Sequence, residues 1–164
     1  MNAAEQERFR SWASARIGRL HRTGYLLCGD WYEAEELAQE TLARAFVHWH
    51  RIERSENPEA YVRKILVNEA KQRWRRHRPV PSADAASLSV SDGTHERAVH
   101  AELIEALRKL PTRQRAAVVL RYFEQLSELE TAEALGCSVG TVKSTTHRAV
   151  AALRHILTPE EKQC

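Results

Sequence analysis

Apolar residues recur every three or four positions through most of this 164-residue chain, and no stretch alternates with the period of two that marks a strand. The pattern predicts an all-α protein. Phe9, Trp12, Ala13, Ile17, Leu20, Tyr25 and Leu27 outline a first helix from about Glu5 to Leu27, which Cys28-Gly29 ends. Asp30 with Glu33 caps a second helix from Trp31 to about His50, whose apolar stripe is Leu37, Ala38, Thr41, Leu42, Ala45, Phe46 and Trp49. Its reverse face carries Glu33, Glu36, Gln39, Glu40 and Arg44. The polar segment Arg51 to Glu56 reads as a loop. Asn57-Pro58 then starts a third helix that runs to about Arg76. Tyr61, Val62, Ile65, Leu66 and Glu69 share one side of it, with Arg73 one turn on as a partner for the carboxylate. Lys64, Val67, Lys71, Trp74, Arg75 and Arg78 share the other, with Asn68 on the flank.

Residues 79–95, PVPSADAASLSVSDGTH, keep no apolar period and read as a flexible linker. It separates two small helical domains, 1–78 and 96–164, expected to be mobile relative to each other. Helical spacing resumes with Val99, Leu103, Ile104, Leu107 and Leu110, and again through Val118, Val119, Tyr122, Phe123 and Leu126. The stretch from Ser127 to Arg154 predicts a helix-turn-helix. Ser127 and Glu130 form a capping box, Gly136 supplies a left-handed stop, and Ser138 caps the second helix. At about 100° per residue, Val142, Thr146, Ala149, Val150 and Leu153 fall in one buried sector. Opposite lie Gly140, Ser144, His147, Arg148 and Ala151, flanked by Lys143: small and hydrogen-bonding groups with almost no acid, suited to a DNA major groove. The plain alternative is an amphipathic hairpin with a solvated outer face.

The formal net charge is only +3, but it is uneven. Residues 1–78 carry 15 Lys and Arg against 11 Asp and Glu, whereas 79–95 carry none against two. The run from Lys71 to Arg78 holds five Lys or Arg and a tryptophan with no acid, which suits a nucleic-acid backbone and its bases. Cys28, Cys137 and Cys164 are too scattered for a disulfide framework or a zinc set, and the eight histidines do not cluster. No apolar run approaches the roughly 20 residues of a membrane span, and the polar N-terminus has no signal-peptide core. These features predict a cytoplasmic protein with no membrane insertion, no cofactor, no metal and no catalytic residue.

Three stretches together resemble the extracytoplasmic-function group of bacterial sigma-70 factors, in its SigE-like actinobacterial branch. They are AEELAQETLARAF at 34–46, NPEAYVRKILVNEAKQRWRR at 57–76, and LPTRQRAAVVLRYF with the helix-turn-helix between 110 and 154. The resemblance implies that domain 1–78 is sigma region 2 and domain 96–164 is sigma region 4. It implies core RNA polymerase and promoter DNA as partners, with an anti-sigma factor as a further candidate. By position, Glu36, Gln39 and Glu40 would bind the polymerase. Asn68, with Lys64, Lys71, Arg75 and Arg76, would meet the −10 element, a flipped base entering the Arg51 to Glu56 loop. Lys143, Ser144, His147 and Arg148 would meet the −35 element. Arg113, Arg115 and Arg121 would help position the DNA backbone.

Thr145 and Thr146 stand where the family commonly has Arg and then Leu or Ile. One basic contact is therefore missing, and the Thr146 hydroxyl must bond a carbonyl or stay unpaired at a cost. The competing reading is a stand-alone helix-turn-helix regulator, which has no use for the acidic face of the second helix.

Overall fold

The structure, a computed structural model, describes residues 1–76 and 94–158, and every regular element among them is helical. Residues 79–93 of the expected linker lie outside the described residues, and 94 and 95 already belong to a helix. In chain order come α1 (Ala3–Cys28), α2 (Trp31–Val47), α3 (Trp49–Arg54), α4 (Pro58–Arg76), α5 (Thr94–Lys109) and α6 (Thr112–Val118). A π-turn (Val119–Phe123), α7 (Glu128–Leu135) and α8 (Val139–Leu157) complete the described chain.

The local signals act as expected. Asp30 Oδ1 accepts from the Glu33 amide at 3.0 Å, and Asn57 Oδ1 from the Ala60 amide at 3.0 Å. Ser127 and Glu130 satisfy each other's backbone amides at 3.0 and 3.2 Å. Gly29 and Gly136 take φ of 72° and 70°, a conformation in which any Cβ would be strained. One further cap opens α1, where Asn2 and Glu5 form a reciprocal box at 2.8 and 2.9 Å. The expected loop at 51–56 is corrected: α3 continues through Arg54. Six polar-rich residues carry little helix signal of their own, but buried Trp49 and Ile52 pin the turn to the core.

Trp49, Ile52, Ala45 and Val62 form a first cluster with Phe9 and Trp12 against it. The Phe9 ring stands edge-on to Phe46 and Trp49 at 5.1 and 5.3 Å between centroids, a favoured aromatic geometry. A second cluster runs through both halves. Leu26, Leu27, Leu37, Leu66 and Ala70 meet Ile104, Leu107, Leu110, Ala116 and Val119 in one core. A third joins Val67 of α4 to Leu120, Leu126 and Ala134. The two helical domains expected from sequence are both present, and they share buried apolar surface. Val67 and Trp74, expected on the outer side of α4, face the second half of the chain.

Ion pairs tie α4 to α2 in an unexpected pairing. Glu69, only 6% exposed, pairs with Arg44 and not with Arg73. Arg73 in turn reaches Glu36 at 3.2 Å, Glu40 at 3.1 Å and Glu33 at 3.9 Å.

On α8, Val142 and Ala149 are fully buried, and Thr146 Oγ1 is buried without a hydrogen-bond partner. Thr146→Val keeps the shape and removes the unpaired hydroxyl, so it is expected to stabilise the fold by about 1 to 2 kcal/mol in urea denaturation.

Candidate nucleic-acid interfaces and partner surface

The outer face of α8 is built by its start. Ser138 Oγ accepts from the Thr141 amide at 3.1 Å and fixes where the helix begins. Four exposed residues then follow on neighbouring turns: Lys143, Ser144, His147 and Arg148. The sequence of α8 contains no acid at all. Ser144 donates its hydroxyl to the Thr141 carbonyl at 3.1 Å, and the Lys143 ammonium lies 3.7 Å from Glu128 on α7. His147 and Arg148 make no hydrogen bond or ion pair among the described residues. The face can meet phosphates with Lys143 and base edges with Ser144, His147 and Arg148.

Arg121, expected from sequence to help position the DNA backbone, is half-buried and donates to the Leu126 carbonyl. It holds the bend before the helix-turn-helix. Arg115 departs further from its expected place along the DNA backbone. It is 9% exposed, and its guanidinium donates to the carbonyls of Leu107, Leu27, Arg108 and Leu110 at 2.8 to 3.2 Å. Arg115 is a buried staple.

On α4, Lys64, Asn68, Arg75 and Arg76 are exposed. Tyr61, Lys64, Ile65 and Asn68 join Arg44 and His48 around an open concavity of about 520 Å³. That volume admits a nucleobase, and Asn68 offers it both donor and acceptor. Lys71 lies apart from these residues. Its ammonium donates to the Leu135 carbonyl at the end of α7, and partial burial pulls it below the ordinary lysine range. Glu36, Gln39 and Glu40 are exposed side by side on α2, two of the three held by Arg73.

The model of sigma-70 region 2 matches residues 14–80, and that of sigma-70, region 4 matches residues 100–153. The RNA polymerase sigma-E factor of Streptomyces coelicolor is 39% identical over 151 residues, covering 91% of this chain and 85% of that protein. The chain belongs to the sigma-70 family. Within it, this sigma factor falls in the SigE-like branch of the extracytoplasmic-function group. The sigma factor SigW of Bacillus subtilis is 30% identical over 166 residues, covering 92% of this chain and 89% of that one. Among solved structures, the sigma factor RpoE of Bartonella quintana, in complex with the anti-sigma factor NepR, superposes with a TM-score of 0.76 at 26% identity. That match covers 94% of this chain and 99% of the other.

Two features of this sigma factor were not read from sequence. One is the Arg44 and Glu69 pair at the rim of the α4 concavity, which joins residues 25 positions apart. The other is the staple at Arg115, whose signal is an arginine opening the apolar run Ala116-Ala117-Val118. Elsewhere the chemistry is sparse. Burial, reinforced by Glu33, pushes the Cys28 thiol up to about 12, so it stays protonated at neutral pH. Among the described residues, no three His, Cys, Asp or Glu side chains converge on a metal-holding cluster, and no helix is long and apolar enough to cross a membrane.

Proposed function

We propose that this sigma factor binds core RNA polymerase in the cytoplasm and directs it to promoters carrying a −35 and a −10 element. It acts by binding, with no catalytic step of its own. The observation that carries the reading is the order of parts in one chain: region 2, with an exposed acidic face and a basic helix, followed by region 4 with an acid-free recognition helix. Residues 1–78 form the −10 and polymerase-binding unit, 79–95 the connection, and 96–164 the −35 unit. Glu36, Gln39 and Glu40 dock on a basic surface of the polymerase. Arg73 holds the two carboxylates in register while leaving them exposed. Lys143, Ser144, His147 and Arg148 read −35 duplex, with Arg121 in support. Asn68 at the α4 concavity reads an unpaired −10 base, while Lys64, Arg75 and Arg76 hold phosphates. Unpairing and flipping a base costs a few kcal/mol, which the concavity and those cations offset. An anti-sigma factor is a further partner, by the complex in which the related RpoE was solved.

The test is titration of fluorescently labelled protein into purified core enzyme. A 1:1 complex is expected, and the E36K/E40K double variant should weaken it at least about tenfold, or ~1.4 kcal/mol. Binding to DNA with no binding to core would instead identify a stand-alone regulator.

A further inference from the structure

Glu69 is the one acid among residues 60–76, a stretch of α4 that carries Arg63, Lys64, Lys71, Arg73, Arg75 and Arg76. A carboxylate on a helix that meets DNA is repelled by the phosphate backbone, so electrostatics alone disfavour it there. Burial adds to the cost, because the Glu69 side chain is only 7% exposed. Arg44, itself 56% exposed, reaches Oε1, and among the described residues no group donates to Oε2. Holding α2 to α4 does not require this pair. Arg73 already joins the two helices through Glu36 and Glu40.

The carboxylate lies where a base would enter. It lines the concavity of about 520 Å³ beside Asn68, and also an adjoining one of about 380 Å³, with Arg44 and His48 common to both. Tyr61 and Ile65, both half-buried, give the larger concavity an apolar side against which a base can lie. Lys64 lines the larger and Arg76 the smaller, so each has a cation at hand for a phosphate. A carboxylate only accepts hydrogen bonds. Cytosine, adenine and guanine each offer it an exocyclic amine, whereas thymine offers one ring N–H flanked by two carbonyl oxygens that repel it.

We infer that Glu69 is a base-selecting residue, whose free carboxylate oxygen accepts from the exocyclic amine of an unpaired cytosine, adenine or guanine and rejects thymine. Arg44 is a positioning residue that fixes the carboxylate at the rim. The inference rests on the −10 reading proposed above, and the experiment separates the two.

The probe is a pool of single-stranded DNA with a short random segment between fixed flanks, equilibrated with holoenzyme assembled from core and the full chain. Bound strands are sequenced. At one position thymine should be depleted at least about fivefold, the effect of one good base contact. The carboxamide of Glu69→Gln donates as well as accepts, so this variant should cut the depletion there to under about twofold and leave the preferences at other positions unchanged. Glu69→Asp keeps the carboxylate and should keep the depletion. Arg44→Gln should weaken the depletion at that same position and no other. With the wild type, the selected base in an enriched strand is replaced by its amine-free analogue: 2-pyrimidinone for cytosine, purine for adenine, hypoxanthine for guanine. The loss of affinity should match the thymine depletion. This comparison needs no variant and decides the matter even if Glu69→Gln fails to fold, which circular dichroism reports. Thymine depletion unchanged in folded E69Q would overturn the assignment, as would a uniform loss at every position or full affinity for the amine-free strand. A wild-type pool with no base preference at any position would instead sink the −10 reading itself, and this inference with it.

Discussion

Arg115→Met is expected to destabilise the protein by about 3 to 5 kcal/mol, because it strips the donor from several buried carbonyls at ~1 to 3 kcal/mol each. The reason lies at two helix ends. The last carbonyls of a helix have no partner within it and carry the negative end of its dipole. Leu27 lies in the last turn of α1, and Leu107, Arg108 and Leu110 lie at or just past the end of α5. All four carbonyls accept from the one guanidinium. Methionine fills the space but leaves the Leu27, Arg108 and Leu110 carbonyls without this donor, while Leu107 keeps the Leu110 amide at 3.1 Å, and Arg115→Lys keeps the charge without the planar fork that reaches several carbonyls together. Both variants should lose stability in urea melts, methionine the more. Since a domain of this size has about 5 to 15 kcal/mol in total, R115M should lose a large fraction of its stability and melt at a clearly lower urea concentration. A loss under about 1 kcal/mol would contradict the staple.

Arg148→Ala should cost about 1 to 3 kcal/mol of −35 affinity at the one base position it reads, while leaving other positions as discriminating as before. Lys143→Ala should behave differently. It weakens binding to all sequences alike and lowers the slope of log affinity against log salt by about 1, because a phosphate contact releases a counterion and reads no base. The measurement is holoenzyme binding to a set of duplexes in which each −35 position is permuted, repeated at three salt concentrations. Uniform loss in R148A would move that residue from base to phosphate. The opposing roles follow from position. Arg148 stands on the acid-free outer face without a partner among the described residues, whereas Lys143 sits at the flank beside Glu128.

The parts that were legible in the sequence are those decided within a few residues. Ser127, Glu130, Gly136 and Ser138 carry capping and left-handed turn chemistry in their own spacing, and the structure uses each as expected. The fold class and the helix-turn-helix followed from such signals and from the 3.6-residue period.

What escaped depends on groups far apart in the chain. Val67 and Trp74 share a face with Lys64 and Lys71, and a face that mixes aliphatic, aromatic and cationic groups fits DNA or a protein neighbour equally well. The structure places Val67 and Trp74 against the second half of the molecule. Glu69 has Arg73 four residues away, the local partner favoured on an isolated helix. Packing of α2 against α4 brings Arg44 to Glu69 and hands Arg73 to the α2 carboxylates. Residues 51–54 are helical because Ile52 is buried, a fact set by α1 and α4 and not by the segment itself. Arg115 belongs to the same class, since its acceptors span from Leu27 to Leu110.

The most direct measurement of the central claim is transcription in vitro from sheared genomic DNA of the source bacterium, using purified core enzyme with and without this protein, followed by sequencing of RNA 5′ ends. New start sites are expected, present only with the protein, that share two conserved upstream elements at constant spacing and that are lost with E36K/E40K. An RNA profile identical to that of core enzyme alone would contradict it.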